Sequence, residues 1–123
     1  MTHRGSCHCG AVTFEADGEL EHVVVCNCSW CGRTGFVHWN VDPAHFRLLT
    51  GQGALRDYQF GTRTSHNTFC GVCGVSPFRR PRSDPHLVDV NVRCLDGVDP
   101  GALPLQSFDG LHWEAAIVTR TWR

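Results

Sequence analysis

The chain has 123 residues, no lysine, and a formal net charge of −1 with a pI near 6.7. That length suits one domain spanning 1–123, able to bury about 65% of the surface its unfolded form exposes. The charge balance disfavours nucleic acid and anionic membranes as partners, and without lysine there is no side-chain amine for Schiff-base chemistry.

Gly5-Ser6-Cys7-His8-Cys9-Gly10 opens the chain. Ala11 to Glu15 predicts a first strand, turned by Asp17-Gly18. Leu20 to Val25 is β-branched and predicts a second, which leads into Cys26-Asn27-Cys28-Ser29-Trp30-Cys31. Phe36 to Val41 alternates apolar and polar side chains, as a strand does, and Asp42-Pro43 ends it. Phe46 to Thr50 reads as a short strand closed by Gly51-Gln52-Gly53. Leu55 to Phe60 and Arg63 to Phe69 read as two strands across a Gly61-Thr62 turn, and the second delivers Cys70-Gly71-Val72-Cys73 on a knuckle. Pro77 to Pro85 is turn-rich. Leu87 to Val92 is the clearest alternating strand, and Phe108 to Trp113 is an ambiguous tail. Short strands, frequent glycines and no long 3.6-residue period predict an all-β domain of packed antiparallel sheets. No internal repeat or linker interrupts it.

Seven of the eight cysteines fall in clusters of two, three and two. The opening Met1-Thr2-His3-Arg4 has no apolar run behind it, so the chain reads as cytoplasmic, where thiols stay reduced. No apolar run approaches the length of a membrane span. Clustered reduced thiols point to metal rather than disulfides. Zinc takes four ligands in a tetrahedron, and thiolate sulfur suits it. Seven thiols divide into a closed set of four and an open set of three, which predicts two Zn²⁺ ions per chain. Spacing alone does not say which pairs join. The economical solution keeps Cys26, Cys28 and Cys31 on one ion and gives Cys7, Cys9, Cys70 and Cys73 the other. The second ion then clips distant segments and is structural. An extended Cys-x-Cys would put both its thiols on one face. Three thiolates on zinc make a soft, electron-rich site that favours a thiol as fourth ligand, and the ionised thiol can attack a small aldehyde. A nucleobase-deaminase reading needs a glutamate two residues after the first ligand and a Pro-Cys-x-x-Cys. Asn27-Cys28 and Phe69-Cys70 supply neither.

The segments Gly5-Ser6-Cys7-His8-Cys9-Gly10-Ala11-Val12, Cys26-x-Cys28-Ser29-x-Cys31-x-x-x-Gly35 and Phe69-Cys70-x-x-Cys73-Gly74 resemble the glutathione-dependent formaldehyde-activating enzyme family, which includes centromere protein V. Val90-Asn91-Val92-Arg93-Cys94-Leu95-Asp96 and Phe108-Asp109-Gly110-x-x-Trp113-Glu114 carry the likeness on, so it covers about residues 5–114. The resemblance implies a zinc-ribbon-related all-β fold and carbon–sulfur lyase activity on a thiol–aldehyde adduct of the S-hydroxymethylglutathione type. It also implies a structural zinc on Cys7, Cys9, Cys70 and Cys73 and a catalytic one on Cys26, Cys28 and Cys31. Gly32-Arg33 departs from the two basic residues that many members carry after the third cysteine.

Around these clusters, Arg33 reads either as a clamp for a substrate carboxylate or as a solvated side chain. Trp30, between two ligands, reads as a wall of the substrate pocket, and Trp39 as core. His8 points away from its neighbours' ligand face. His38 and His66 read as structural, with acid–base work as the alternative. Cys94 reads as a small buried strand residue, and Arg79, Arg80 and Arg82 as a solvated loop. The alternative to an enzyme is a non-catalytic zinc-ribbon module binding a protein partner. A fourth protein ligand at the triad, such as Cys94, would favour it.

Overall fold

The computed structural model describes residues Met1 to Arg120. In chain order the elements are β1 (Thr2–Ser6), β2 (Thr13–Asp17), β3 (Val23–Cys26), α1 (Ser29–Thr34), β4 (His38–Val41) and β5 (Phe46–Thr50). Then come β6 (Leu55–Tyr58), β7 (Asn67–Cys70), β8 (Phe78–Arg79), β9 (Val88–Asn91), β10 (Leu105–Phe108) and α2 (Trp113–Thr119). The strands make a three-stranded sheet, β1-β2-β5, a five-stranded sheet, β10-β3-β4-β9-β8, and a two-stranded pair, β6-β7. The fold is mostly β, as the alternating segments predict.

Three details differ from the sequence reading. The N-terminus forms a strand of its own, because β1 pairs along its whole length with β2, Thr2 opposite Asp17 and Ser6 opposite Thr13. The five-stranded sheet is mixed, since β10 runs parallel to β3, with Leu105 opposite Val23 and Phe108 opposite Cys26. Parallel pairing needs a long crossover, and more than half of the chain lies between these two strands. Helices also appear: α1 carries the third cysteine of the triad, and α2 begins at Trp113, the last residue of the ambiguous tail.

The five-stranded sheet positions the site because its two faces differ. Side chains alternate along a strand, so neighbours on one face are two residues apart. Val23, Val37, Val41, Val88 and Val90 fall on one face and pack with Phe14, Ala16, Val92 and Leu95. Trp39 and Phe78 join that core, and Phe46 bridges Phe14 and Phe78 at ring distances of 5.5 and 4.8 Å. Val24, Cys26, His38, Asn40, Arg79, Asp89 and Phe108 face the other way. Register brings them together, pairing His38 with Val24 across β3–β4, Asn40 with Asp89 across β4–β9, and Arg79 with Asp89 across β8–β9. A second apolar cluster of Cys7, Val12 and Cys70, with Leu48, Leu55 and Val75 packed on it, lies under the two-stranded pair.

Candidate metal centres and the pocket between them and solvent

The four-cysteine cluster joins two turns. Cys7 leaves β1 into a turn through His8 and Cys9, closed by Cys7 N–H donating to the Val12 carbonyl at 3.0 Å. The extended Cys-x-Cys that spacing suggested is therefore a turn here, and the sulfurs converge by chain reversal rather than by strand alternation. Cys70 ends β7, and Gly74 N–H closes the Cys-x-x-Cys turn on the Cys70 carbonyl at 2.8 Å. The Cys7–Cys9 and Cys9–Cys70 sulfurs are each 3.7 Å apart. A tetrahedral site with metal–sulfur bonds of about 2.3 Å requires sulfur–sulfur edges of about 3.8 Å. Backbone N–H groups of Val12 and Val72 donate to the Cys7 and Cys70 sulfurs at 3.3 and 3.4 Å. The Val75 N–H leads the hydrogen bonds that bring the Cys73 thiol down to about 6. This donor set fits a thiolate-bound ion.

The three-cysteine cluster is built at the end of the polar sheet face. Cys26 ends β3. Cys28 is the N-cap of α1, accepting a hydrogen bond from the Cys31 N–H at 3.3 Å, as an N-cap side chain does. Cys31 follows one turn later on the same side. Gly35, in left-handed backbone with φ of 70°, stops the helix and turns the chain into β4. The three sulfurs lie within 4.8 Å of one another, so this set too could hold a metal ion. Hydrogen bonds from Cys26 and then Cys31 hold the Cys28 thiol down to about 2, while Cys26, Cys28 and burial push Cys31 upward. Crowding thus opposes ionisation of all three sulfurs at once, and a divalent cation would offset it.

Asn27, between the first two cysteines, anchors the C-terminal segment. Its Nδ2 donates to Asp109 at 2.9 Å, and its Oδ1 accepts from the Leu111 N–H at 3.0 Å. Gly110 is thereby pressed onto the cluster. A β-carbon there would overlap the Cys26 sulfur and come 2.8 Å from the Cys28 β-carbon, so only glycine fits.

The three sulfurs line a pocket of about 150 Å³, floored by the polar sheet face and walled by Phe60, Ser65, Arg82 and Trp113. His38 Nε2 is 3.2 Å from the Cys31 sulfur, and its Nδ1 is 2.6 Å from Asp89 Oδ2. Asp89 is 1% exposed. Arg79, 9% exposed, reaches toward the Cys31 sulfur with Nη1 at 3.9 Å and toward Asp89 Oδ2 with Nε at 3.5 Å. Its guanidinium lies over the Trp30 ring at 5.1 Å and the Phe36 ring at 5.9 Å. A buried guanidinium stacked on aromatic rings and paired with a buried carboxylate keeps its charge beside the sulfurs.

The predicted site residues divide. All seven clustered cysteines converge as two sets. Trp30 does not wall the triad pocket but carries Arg79. Arg33 is exposed, donates to the Ser29 carbonyl of its own helix at 2.9 Å, and lines a neighbouring cleft with Ser29, Trp30, Tyr58 and Phe60. Cys94 stands apart from the triad, its sulfur 3.9 Å from the Ser76 carbonyl. His66 pairs with Asp57 at the surface, 2.7 Å apart. Arg79 is the correction: read as part of a solvated loop, it is buried, because β8 pairs its short run with β9. Asp89 was missed, although it is a polar position of the clearest alternating strand.

Residues 2–108 match the family of glutathione-dependent formaldehyde-activating enzymes. A crystal structure of a Rhodobacter sphaeroides protein superposes with a TM-score of 0.76 at 37% sequence identity, covering 84% of this chain and 99% of that one.

Proposed function

The chain belongs to the glutathione-dependent formaldehyde-activating enzyme family, and from that premise we propose that it is a zinc-dependent carbon–sulfur lyase, forming or cleaving a thiol–aldehyde adduct at the three-cysteine site. The observation that carries this reading is the pocket itself: three converging sulfurs open onto a cavity that also holds an imidazole, a guanidinium and a carboxylate. In this reading the fold is zinc-ribbon-related and the chain acts as one domain. Cys7, Cys9, Cys70 and Cys73 hold a structural zinc, and Cys26, Cys28 and Cys31 hold the second. Zinc bound by three thiolates supplies a soft position at which a low-molecular-weight thiol such as glutathione ionises.

The chain's own groups handle the proton and the charge. Joining a thiol to formaldehyde breaks the S–H bond, forms a C–S bond and leaves a hydroxyl on the new carbon, so one proton travels from sulfur to oxygen. Asp89 fixes the His38 ring by its bond to Nδ1, which leaves Nε2 facing the pocket beside Cys31. Nε2 takes the thiol proton and returns it to the oxygen. Arg79 holds a fixed positive charge against the alkoxide as it develops. The reverse sequence cleaves the adduct. A cavity of about 150 Å³ suits a one-carbon aldehyde and the reacting end of the thiol. In this reading the protein is cytoplasmic, where clustered thiols stay reduced, and acts on small molecules rather than on nucleic acid or membrane. The binding-module alternative loses its named fourth ligand, because Cys94 lies away from the triad.

The test is exchange NMR of glutathione with ¹³C-formaldehyde. Zinc-loaded protein should accelerate formation of S-hydroxymethylglutathione over the spontaneous rate, and Cys28→Ser should not. Equal rates with and without the wild-type protein would sink the reading.

A further inference from the structure

We propose that Arg82, stacked on Trp113 at the wall of the three-cysteine pocket, is a carboxylate-recognition site that makes the protein selective for anionic thiols; this rests on the function proposed above. The guanidinium carbon of Arg82 lies 3.8 Å from the centroid of the Trp113 ring, and both residues line the cavity. Stacking occupies the face of the guanidinium and not its donor edge, the edge that binds carboxylates in bidentate fashion.

A carboxylate is already there. Glu114 Oε1 is 3.3 Å from Arg82 Nη2, and the Glu114 side chain is 81% exposed against 31% for Arg82. A single contact to so exposed a carboxylate is weak and easily exchanged. It shows what the guanidinium accepts and leaves that place open to a better ligand.

The scaffold beneath the pair is rigid. Asp84, two residues after Arg82, makes a double ion pair with Arg120 at 2.8 and 2.9 Å, both side chains nearly fully buried. Asn27 holds the other end of the same segment through Asp109. Both partners of the stack are therefore tied to the site from two directions.

Three neighbouring arginines are committed elsewhere. Arg79 is engaged with Asp89 and Cys31, Arg80 with the His86 carbonyl, and Arg33 lines a different cleft. A cavity this small takes the sulfur end of a peptide thiol, so its tail passes the pocket wall, where Arg82 meets it.

Calorimetric titration of zinc-loaded protein with glutathione and with glutathione diethyl ester tests the proposal, since the pair differ in carboxylate charge. Wild type should bind the acid about tenfold more tightly than the ester, the size of a charge-assisted hydrogen bond. In Arg82→Gln that ratio should fall below about twofold, with ester binding unchanged. Glu114→Gln removes the competing carboxylate and should tighten the acid about threefold without affecting the ester. Because Glu114 is exposed, this variant keeps the question answerable if Arg82→Gln folds poorly. Equal binding of acid and ester by wild type, or a ratio unchanged in both variants, overturns the proposal while leaving the lyase reading intact. Failure of wild type to bind either compound removes the thiol reading and this one with it.

Discussion

Cys7, Cys9, Cys70 and Cys73 grow out of an apolar cluster in which Val12 and Cys70 itself are fully buried. Cys26, Cys28 and Cys31 stand at the end of a polar sheet face and open onto a cavity. Both sets offer cysteine sulfur, and both take N–H···S bonds from neighbouring backbone. Their surroundings differ in what a ligand set is for. The first joins residues 61 positions apart, Cys9 and Cys70, and offers four sulfurs, enough to complete a tetrahedron, so the energy of an ion bound there would be folding energy. The second spans six residues, constrains little of the chain, and has three sulfurs with titratable groups beside them. Closure and chain separation make a structural site; an open position and a charged pocket make a reactive one.

The strongest way to break this comparison is to exchange the outcomes of one ligand substitution in each set. Cys70→Ser should destabilise the fold by about 5 kcal/mol or more and leave little soluble protein. Cys28→Ser should fold, with a stability loss of about 1–2 kcal/mol and about half the bound metal. Denaturant unfolding and metal analysis read both. A folded Cys70→Ser beside an unfolded Cys28→Ser would reverse the two roles.

A substitution in the pocket that spares the metal sharpens the contrast. His38→Gln removes the imidazole but no sulfur. Turnover should fall about 10²-fold or more, the range of general acid–base catalysis, while metal content stays at the wild-type level. Loss of the three-cysteine metal along with turnover would mean that His38 serves the ligand set rather than the proton. The smallest effect belongs to Arg33. Arg33→Ala should change stability by less than about 0.5 kcal/mol and glutathione affinity by less than about twofold, because its side chain bonds its own helix and lies outside the pocket. A tenfold loss of affinity would restore Arg33 as a substrate contact and extend the site into the cleft beside Trp30.

What the sequence determined by itself is local. Cysteines two or three residues apart meet wherever the chain bends between them, so the triad and the two separate pairs were legible from spacing, while the joining of Cys7 and Cys9 to Cys70 and Cys73 rested on the count of thiols. Val88 to Asn91 alternates and became a central strand, with Trp39 in the core beside it. Local reading failed where a local pattern had two solutions. Cys7-His8-Cys9 could be strand or turn, and the pairing of β1 with β2 decided for a turn. Ser29 to Thr34 is too short to show a helical period, and the Cys28 cap and Gly35 stop made it a helix.

Only the tertiary structure decided the pocket. Cys31, His38, Arg79 and Asp89 are spread over 59 positions, and no spacing rule connects them. They meet because β4, β8 and β9 pair in one register, and a slip of one residue would send Asp89 into the apolar core and Val88 or Val90 toward the sulfurs. That register is set by burial of the valine face, so the energy that packs the core also places the charged groups. Arg79 looked like surface because its sequence neighbours are arginines and prolines; long-range pairing, not composition, buried it. The C-terminal segment is the same case, since its approach to Cys26 depends on a parallel pairing of β10 with β3 across most of the chain. The cysteine triad and the two cysteine pairs are written in short spacing, while the joining of the pairs and the chemistry around the triad follow from contacts that form only when distant strands find their register.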